Sequence, residues 1–340
     1  MQFVCKNCFK DQELIGLIIS QGKIGKCDCC DSNDVEVILI EELYDFFNEL
    51  YLNFQIKEDG ESLNTLISEN WNLFNGLEIG RKILNFTLEK LVSDIHNSDE
   101  LVCFSDDILE NINYWDELKE KLKWKIRYFS NIRYIIEDLG WDSFFESKTK
   151  LKSNDVFFRA RLHVKADERT FEKDEMLSPP KEKTLAGRAN PLGIPYLYLS
   201  DNADTILYEV RASYLDEVSV ASFKLKDTVE DPIIISDFTE TPTLYDPGRV
   251  NLKIKSTLLK KIISRELSKP MRRYDSDLDY VPTQFICEFI KEFTNVQGIK
   301  FKSSLHEEGS NLVLFNQEIM DCFDVKQVRI SKVLINSCDI

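Results

Sequence analysis

Apolar and polar positions divide the chain into three textures. Near the N-terminus Val35, Val37 and Leu39 alternate with polar neighbours, the period-two pattern of a strand with one buried face. From about Glu41 to Phe145 the period lengthens. Ile83, Leu84, Phe86, Leu88, Leu91, Val92 and Ile95 recur at helical spacing, and Ile108, Ile112, Trp115, Leu118, Leu122 and Trp124 repeat it. The polar stretch from Lys148 to Asn154 closes this region. Beyond it, 156–161, 218–225, 233–236, 299–302, 312–315 and 325–334 read as strands, and 203–214, 252–267 and 285–293 as helices. These lack the regular alternation of a doubly wound sheet, so the expected class is α+β with a mainly antiparallel C-terminal sheet. Three regions follow: a small module over 1–40, a helical region over 41–150 and a sheet domain over 151–340.

Composition narrows the function classes. With 43% apolar and 30% charged residues over 340 positions, the chain can bury one large or two modest cores. No run approaches the roughly 18 apolar residues of a membrane span, and cysteines and charges occupy the N-terminus where a signal peptide needs an apolar core. The expectation is a soluble, cytoplasmic protein. Acidic residues number 59 against 43 basic ones, a formal charge of −16. That balance argues against a broad nucleic-acid footprint, which needs clustered Lys and Arg. Lys6, Lys10, Lys23 and Lys26 leave room only for a small basic face.

Five of the nine cysteines fall within the first 30 residues, as Cys5-Lys6-Asn7-Cys8 and Cys27-Asp28-Cys29-Cys30. Such crowding suits a metal better than a disulfide framework. Two CxxC knuckles at this separation can place four thiolates around one Zn²⁺, and Cys5, Cys8, Cys27 and Cys30 keep the required spacing. Cys29 is a competing ligand or a free thiol. A closed four-thiolate site has no open position, so the zinc would staple the fold and not act on substrate.

The segment Gly187-Arg188-Ala189-Asn190-Pro191 runs into an apolar strand containing Tyr198, and a helix with Glu209 follows. Glycine lets backbone approach a ligand, Arg grips phosphate bidentately and a Tyr face stacks on a flat ring. The set suits a nucleotide. Glu209, between apolar neighbours, needs a compensating cation or hydrogen bond, and Arg188 is a candidate partner. The loop over 165–185 is long, charged and rich in Pro and Glu, and loops of that length inside a compact domain are often lids over a site.

These residues carry a resemblance. Phe157-Phe158-Arg159-Ala160-Arg161, Gly187-Arg188-Ala189-Asn190-Pro191 with Tyr198 ten residues after the Arg, and Leu207-Tyr208-Glu209-Val210 resemble the RES-domain family. So do Asp279-Tyr280-Val281-Pro282-Thr283-Gln284, Gly298-Ile299-Lys300-Phe301-Lys302-Ser303-Ser304 and Asn311-Leu312-Val313-Leu314-Phe315, in the same order. The family comprises toxins that destroy NAD⁺ on a fold similar to ADP-ribosyltransferases. The front of the chain looks like the zinc-knuckle and helical extension of longer members.

The resemblance implies catalytic roles for Arg188, Tyr198, Glu209 and Ser303, with Ser304 the alternative for the family serine. Arg159, Asn190 and Ser304 are the further candidates for binding the substrate, NAD⁺. The family often carries Trp or Phe after its Arg, where this chain has Ala189. The implied reaction cleaves the nicotinamide–ribose bond, with inorganic phosphate or water as acceptor. Ser303 is expected to hydrogen-bond the substrate and not to attack it, because no histidine is evidently placed to activate it. His306 reads as an ordinary polar loop residue. A cognate antitoxin or other regulatory protein is the expected partner. The competing readings are an ADP-ribosyltransferase acting on a macromolecule and a zinc-ribbon adaptor that binds nucleotide without turnover.

Overall fold

The computed structural model describes residues 2–128, 130–145, 149–165, 168–240, 243–269, 277–306 and 308–333. Lys148, Ala166, Asp167 and Leu334, which fall in ranges discussed above, lie outside the described residues. The chain forms two compact units, Met1–Glu117 with Glu240–Lys260, and Leu118–Thr239 with Lys261–Ile340. No helix among the described residues is long and apolar enough to cross a membrane.

The first unit opens with a three-stranded antiparallel sheet, β1 (Phe3–Cys5), β2 (Lys23–Gly25) and β3 (Val35–Leu39), with β3 in the middle. Helix α1 (Gln12–Gln21) follows β1 in the chain and begins at a buried Asp11. One carboxylate oxygen, Oδ1, accepts from the N–H groups of Glu13 and Leu14 at 3.1 and 3.2 Å. The other, Oδ2, accepts from Leu244 and Tyr245 at 2.6 and 3.0 Å. One side chain therefore caps a helix and anchors backbone from the far end of the sequence.

Helices α2 (Tyr44–Tyr51), α3 (Leu63–Trp71) and α4 (Leu77–Leu88) and the first part of α5 (Asp106–Trp124) complete this unit, with residues 250–260 of a later helix. Its core is built on Phe46, Phe47, Leu43 and Trp71. Two features depart from the periodicity. The run through Ile95 stops being helical at Leu88. Just before that end Thr87 Oγ1 bonds back to the Ile83 and Leu84 carbonyls, and Asn85 Oδ1 accepts the N–H of Ser98. Side-chain groups there compete with the helix ladder. Within the same region β4 (Phe54–Ser62) and β5 (Leu101–Phe104) pair as an antiparallel two-stranded sheet, with Phe54 and Phe104 5.6 Å apart. Four residues of β5 are too few for a period to show.

The second unit contains α6 (Trp141–Phe145), β6 (Phe157–Leu162), β7 (Leu197–Ser200), α7 (Ala203–Glu209), β8 (Glu217–Leu225), β9 (Ile235–Asp237), the end of α8 (Val250–Ser268), α9 (Val281–Phe293), β10 (Gly298–Lys302), β11 (Ser310–Leu314) and β12 (Met320–Arg329). Seven strands form one sheet in the order β12-β8-β6-β7-β11-β10-β9. Every neighbouring pair is antiparallel except β10 with β9. This is the mixed, mainly antiparallel sheet of an α+β unit. Strand β8 is buried along almost its whole length, as a strand with both faces covered must be. Phe157, Leu197, Leu199, Phe223 and Leu312 form the core on one face, and Ala160, Val218, Val220 and Ile206 pack on the other.

Helix α7 is shorter than its pattern. Arg211 turns left-handed at φ 54°, and the helix ends with Glu209 as its last residue. The loop over 165–185 is anchored at Met176, which is completely buried, and at Ser178, whose N–H donates to Gln317 Oε1 at 2.7 Å. A freely swinging lid is therefore excluded for this part of it.

Replacing Asp11 by Ala strands four backbone donors. The expected loss is roughly 2–4 kcal/mol, by analogy with a helix cap plus buried charge-assisted bonds. Asp11→Asn should recover only part of it. Urea denaturation of the three proteins measures the difference, and an Ala variant as stable as wild type would show that Leu244 and Tyr245 are held otherwise.

Candidate functional site

The four expected ligands meet at the start of the first unit. Strand β1 delivers Cys5, a single 3₁₀ turn brings Cys8 to the same side, and the Cys27–Cys30 turn closes over them. Cys5 and Cys8 sulfurs lie 3.8 Å apart, Cys5 and Cys30 3.5 Å, Cys8 and Cys27 3.5 Å, and all four lie within 4.8 Å of one another. Zinc–sulfur bonds in a tetrahedron place sulfurs about 3.8 Å apart, so the donor set fits a closed thiolate site. Burial, then the adjacent Cys30 thiol, pushes the Cys5 thiol up to about 12. Ionising the set calls for a cation among the sulfurs. Cys29 is turned away: its Sγ sits 3.9 Å from the Ile79 carbonyl, while its N–H donates to Cys27 Sγ at 3.4 Å. It supports a ligand and is outside the set. Lys6 pairs with Glu36 at 3.0 Å and Lys26 lies 3.6 Å from Asp31.

In the second unit the seven-stranded sheet opens between β6 and β7. These strands pair at Phe158–Ser200 alone. Beyond that point the Tyr198 carbonyl has no strand donor, and Nη1 of Arg159 takes its place at 3.1 Å. The Nε of Arg159 is buried without a partner, and no carboxylate pairs with this cation among the described residues. Burial, then the neighbouring Arg161, lowers its guanidinium to about 10, still charged at neutral pH. An uncompensated buried cation is costly, and an incoming anion would offset that cost.

A cavity of about 300 Å³ lies beside this opening, walled by Arg159, Lys183, Gly187, Asn190, Tyr196 and Tyr198. Its shape depends on the 187–190 turn. Tyr198 donates its hydroxyl to Asn190 Oδ1 at 2.8 Å and accepts the Ala189 N–H at 3.0 Å. Burial raises the Tyr198 pKa, so the phenol stays protonated and donating. Asn190 Nδ2 reaches the carbonyls of Leu185, Pro191 and Ile194 at 3.0, 3.1 and 3.0 Å. Asn190 thus spends its side chain on the wall of the cavity. A β-carbon at Gly187 would lie 2.6 Å from Asn190 Oδ1 and 2.8 Å from the Tyr198 hydroxyl, so only glycine fits there.

Glu209 and Ser303 come together. The Ser303 hydroxyl donates to Glu209 Oε1 at 2.7 Å, and Asn311 Nδ2 donates to the same oxygen at 2.8 Å. Oε2 has no partner among the described residues. The expected pairing of Arg188 with Glu209 is not formed. Arg188 Nη1 donates instead to the Leu267 carbonyl at 2.8 Å, near the C-terminus of α8, where a helix favours positive charge. Two neutral donors, not a cation, compensate the carboxylate. Ser304 is separate from it: its hydroxyl bonds the Ser268 carbonyl.

Tyr198 of the cavity and Asn311 of the Glu209 cluster share a face of the sheet. Tyr198 stands opposite Val313 and Ser200 opposite Asn311, and residues two apart in a strand project together. Tyr198 and Asn311 therefore point the same way from neighbouring strands, one pleat repeat apart. In the sequence Asn311 stands only within a motif of the family resemblance, with no role of its own. A polar residue opening a buried apolar strand was the available signal. Thr283 and Gln284 were also left without a role. They donate to the Arg188 and Gly187 carbonyls, each at 2.7 Å, and hold the turn in place.

A model of the RES domain matches residues 158–334, just over half of the chain. No curated protein and no solved structure matches it.

Two predictions follow from this geometry. Chelation should release one zinc per chain and, in hydrogen-exchange mass spectrometry, deprotect residues 2–40 while β6 to β12 keep their protection. Cys8→Ser should behave like the chelated protein. Gly187→Ala should push Tyr198 away from Asn190 at a cost of about 1–3 kcal/mol, read as a lowered thermal midpoint. An unchanged midpoint would mean that the turn yields without disturbing Tyr198.

Proposed function

This chain belongs to the RES-domain family, NAD-related proteins of toxin–antitoxin type, and from that premise we propose that it cleaves the nicotinamide–ribose bond of NAD⁺. The observation that carries the reading is the Glu209 carboxylate, fixed through Oε1 by Ser303 and Asn311 with Oε2 left over. Departure of nicotinamide spreads positive charge over the ribose ring oxygen and C1. An oriented carboxylate oxygen stabilises that charge, as in glycoside cleavage. Oε2 is the atom we assign to this duty. Ser303 donates a hydrogen bond to Glu209 Oε1, and we give it a positioning and hydrogen-bonding role.

The remaining residues suit the rest of the dinucleotide. The ring of Tyr198, whose hydroxyl is tied into the turn, offers an edge or face to the nicotinamide. Arg159 is the cation lacking an anion, and with Lys183 at the rim it matches a diphosphate. Arg188, held by the Leu267 carbonyl through one nitrogen, keeps further donors for phosphate. The acceptor in this proposal is inorganic phosphate, giving ADP-ribose-1″-phosphate, with water giving ADP-ribose as the alternative. Both release nicotinamide. A cell needs such an activity restrained, so a cognate antitoxin or regulatory protein belongs to the proposal. The thiolate site supplies no step and serves folding.

Purified protein is expected to consume NAD⁺ and release nicotinamide, and Glu209→Gln to slow this by at least about 100-fold, the usual cost of losing a charge-stabilising group. Omitting and restoring phosphate identifies the acceptor. Label from NAD⁺ appearing on protein or RNA, with no free ADP-ribose product, would replace this reading by a transferase. Equal rates for wild type and Glu209→Gln would overturn the assignment of the carboxylate.

A further inference from the structure

Helix α7 carries more than the carboxylate. Thr205, one turn before Glu209, is completely buried, and its Oγ1 shares a 2.7 Å hydrogen bond with Nδ1 of His306. The imidazole lies nearly parallel to the Tyr208 ring, with centroids 5.3 Å apart and 11° between planes. Residues spaced by three and four share a helix face, so Thr205, Tyr208 and Glu209 meet Ser303, His306 and Gly309.

These three residues lie between β10 and β11. The Ser303 N–H donates to the Gly309 carbonyl at 2.9 Å, and the Gly309 N–H to the His306 carbonyl at 3.1 Å. Gly309 presses so closely on α7 that a β-carbon there would overlap Thr205 Oγ1. The turn is tied to α7 at two places, through Ser303 to Glu209 and through His306 to Thr205 and Tyr208.

We propose that His306 is a positioning residue for Glu209, acting through Ser303. The last torsion of a glutamate is broad, so the donors on its carboxylate decide which oxygen is left open. Asn311 projects from a strand and is fixed by the sheet. Ser303 sits at the root of the turn, and its hydroxyl stays on Oε1 only while the turn stays against α7. The His306 latch holds the far side of that turn. Its Thr205 partner is one helical turn from the carboxylate, so the latch and the group it positions move together.

The kinetic arm of the test rests on the NAD⁺ reading, and the structural arm does not. Hydrogen exchange of the 303–309 backbone is compared in wild type, His306→Ala and Thr205→Val. Both variants are expected to exchange about five- to tenfold faster there, the equivalent of one net hydrogen bond, with β10 and β11 unchanged. In NAD⁺ turnover His306→Ala should lower kcat and leave KM in place. Combined with Ser303→Ala it should be no slower than Ser303→Ala alone, because both act through one contact. Unchanged exchange in the turn, or losses from His306 and Ser303 that multiply, would overturn the positioning role. If wild type consumes no NAD⁺, the functional reading fails and the exchange comparison alone decides.

Discussion

A backbone carbonyl that loses its neighbouring strand must find another donor, and in the C-terminal unit this requirement organises the site. β6 and β7 share one pair, and past it the Tyr198 carbonyl is served by the guanidinium of Arg159. The substitution has two effects. It keeps the sheet open where a cavity lies, and it fixes a cation at that opening with donors to spare. The Tyr198 side chain, projecting from the same residue, anchors the 187–190 turn that forms the opposite wall. Cavity, turn and charge therefore depend on one interrupted ladder.

In each unit one carboxylate, the buried Asp11 and the half-buried Glu209, is held by neutral donors. Asp11 is satisfied by four backbone N–H groups, and Glu209 by a hydroxyl and an amide on one oxygen. The difference lies in what is left over. Asp11 has both oxygens engaged and behaves as structure. Glu209 keeps one oxygen free, so its negative charge is oriented without being neutralised by a cation. A salt bridge to Arg188 would have drained that charge. Its absence follows from the C-terminal carbonyls of α8, which hold the arginine elsewhere.

Legibility in the sequence followed the range of the interactions. The four thiolates were readable because both knuckles are local and their spacing is dictated by the metal's geometry. The α+β class was readable from strands and helices that fail to alternate. Glu209 and Ser303 were named from motifs, but the contact between them joins residues 94 apart and depends on register. For the same reason Arg188 was given the wrong partner, and Ser303 could not be told from Ser304. β5 was missed because four residues show no period. Asn190 was named with the family resemblance, and its bonds to three carbonyls and a phenol, which build the cavity wall, join groups that no local pattern reveals.

The segment Glu240–Lys260 belongs to the first unit although more than a hundred residues of the second precede it in the chain. Asp11 binds it at Leu244 and Tyr245. The unit that holds the four cysteines is therefore not a detachable prefix. A gene trimmed at any single junction before the sheet would leave 240–260 without the structure that receives it, and a gene ending after the ribbon would lack part of its own core.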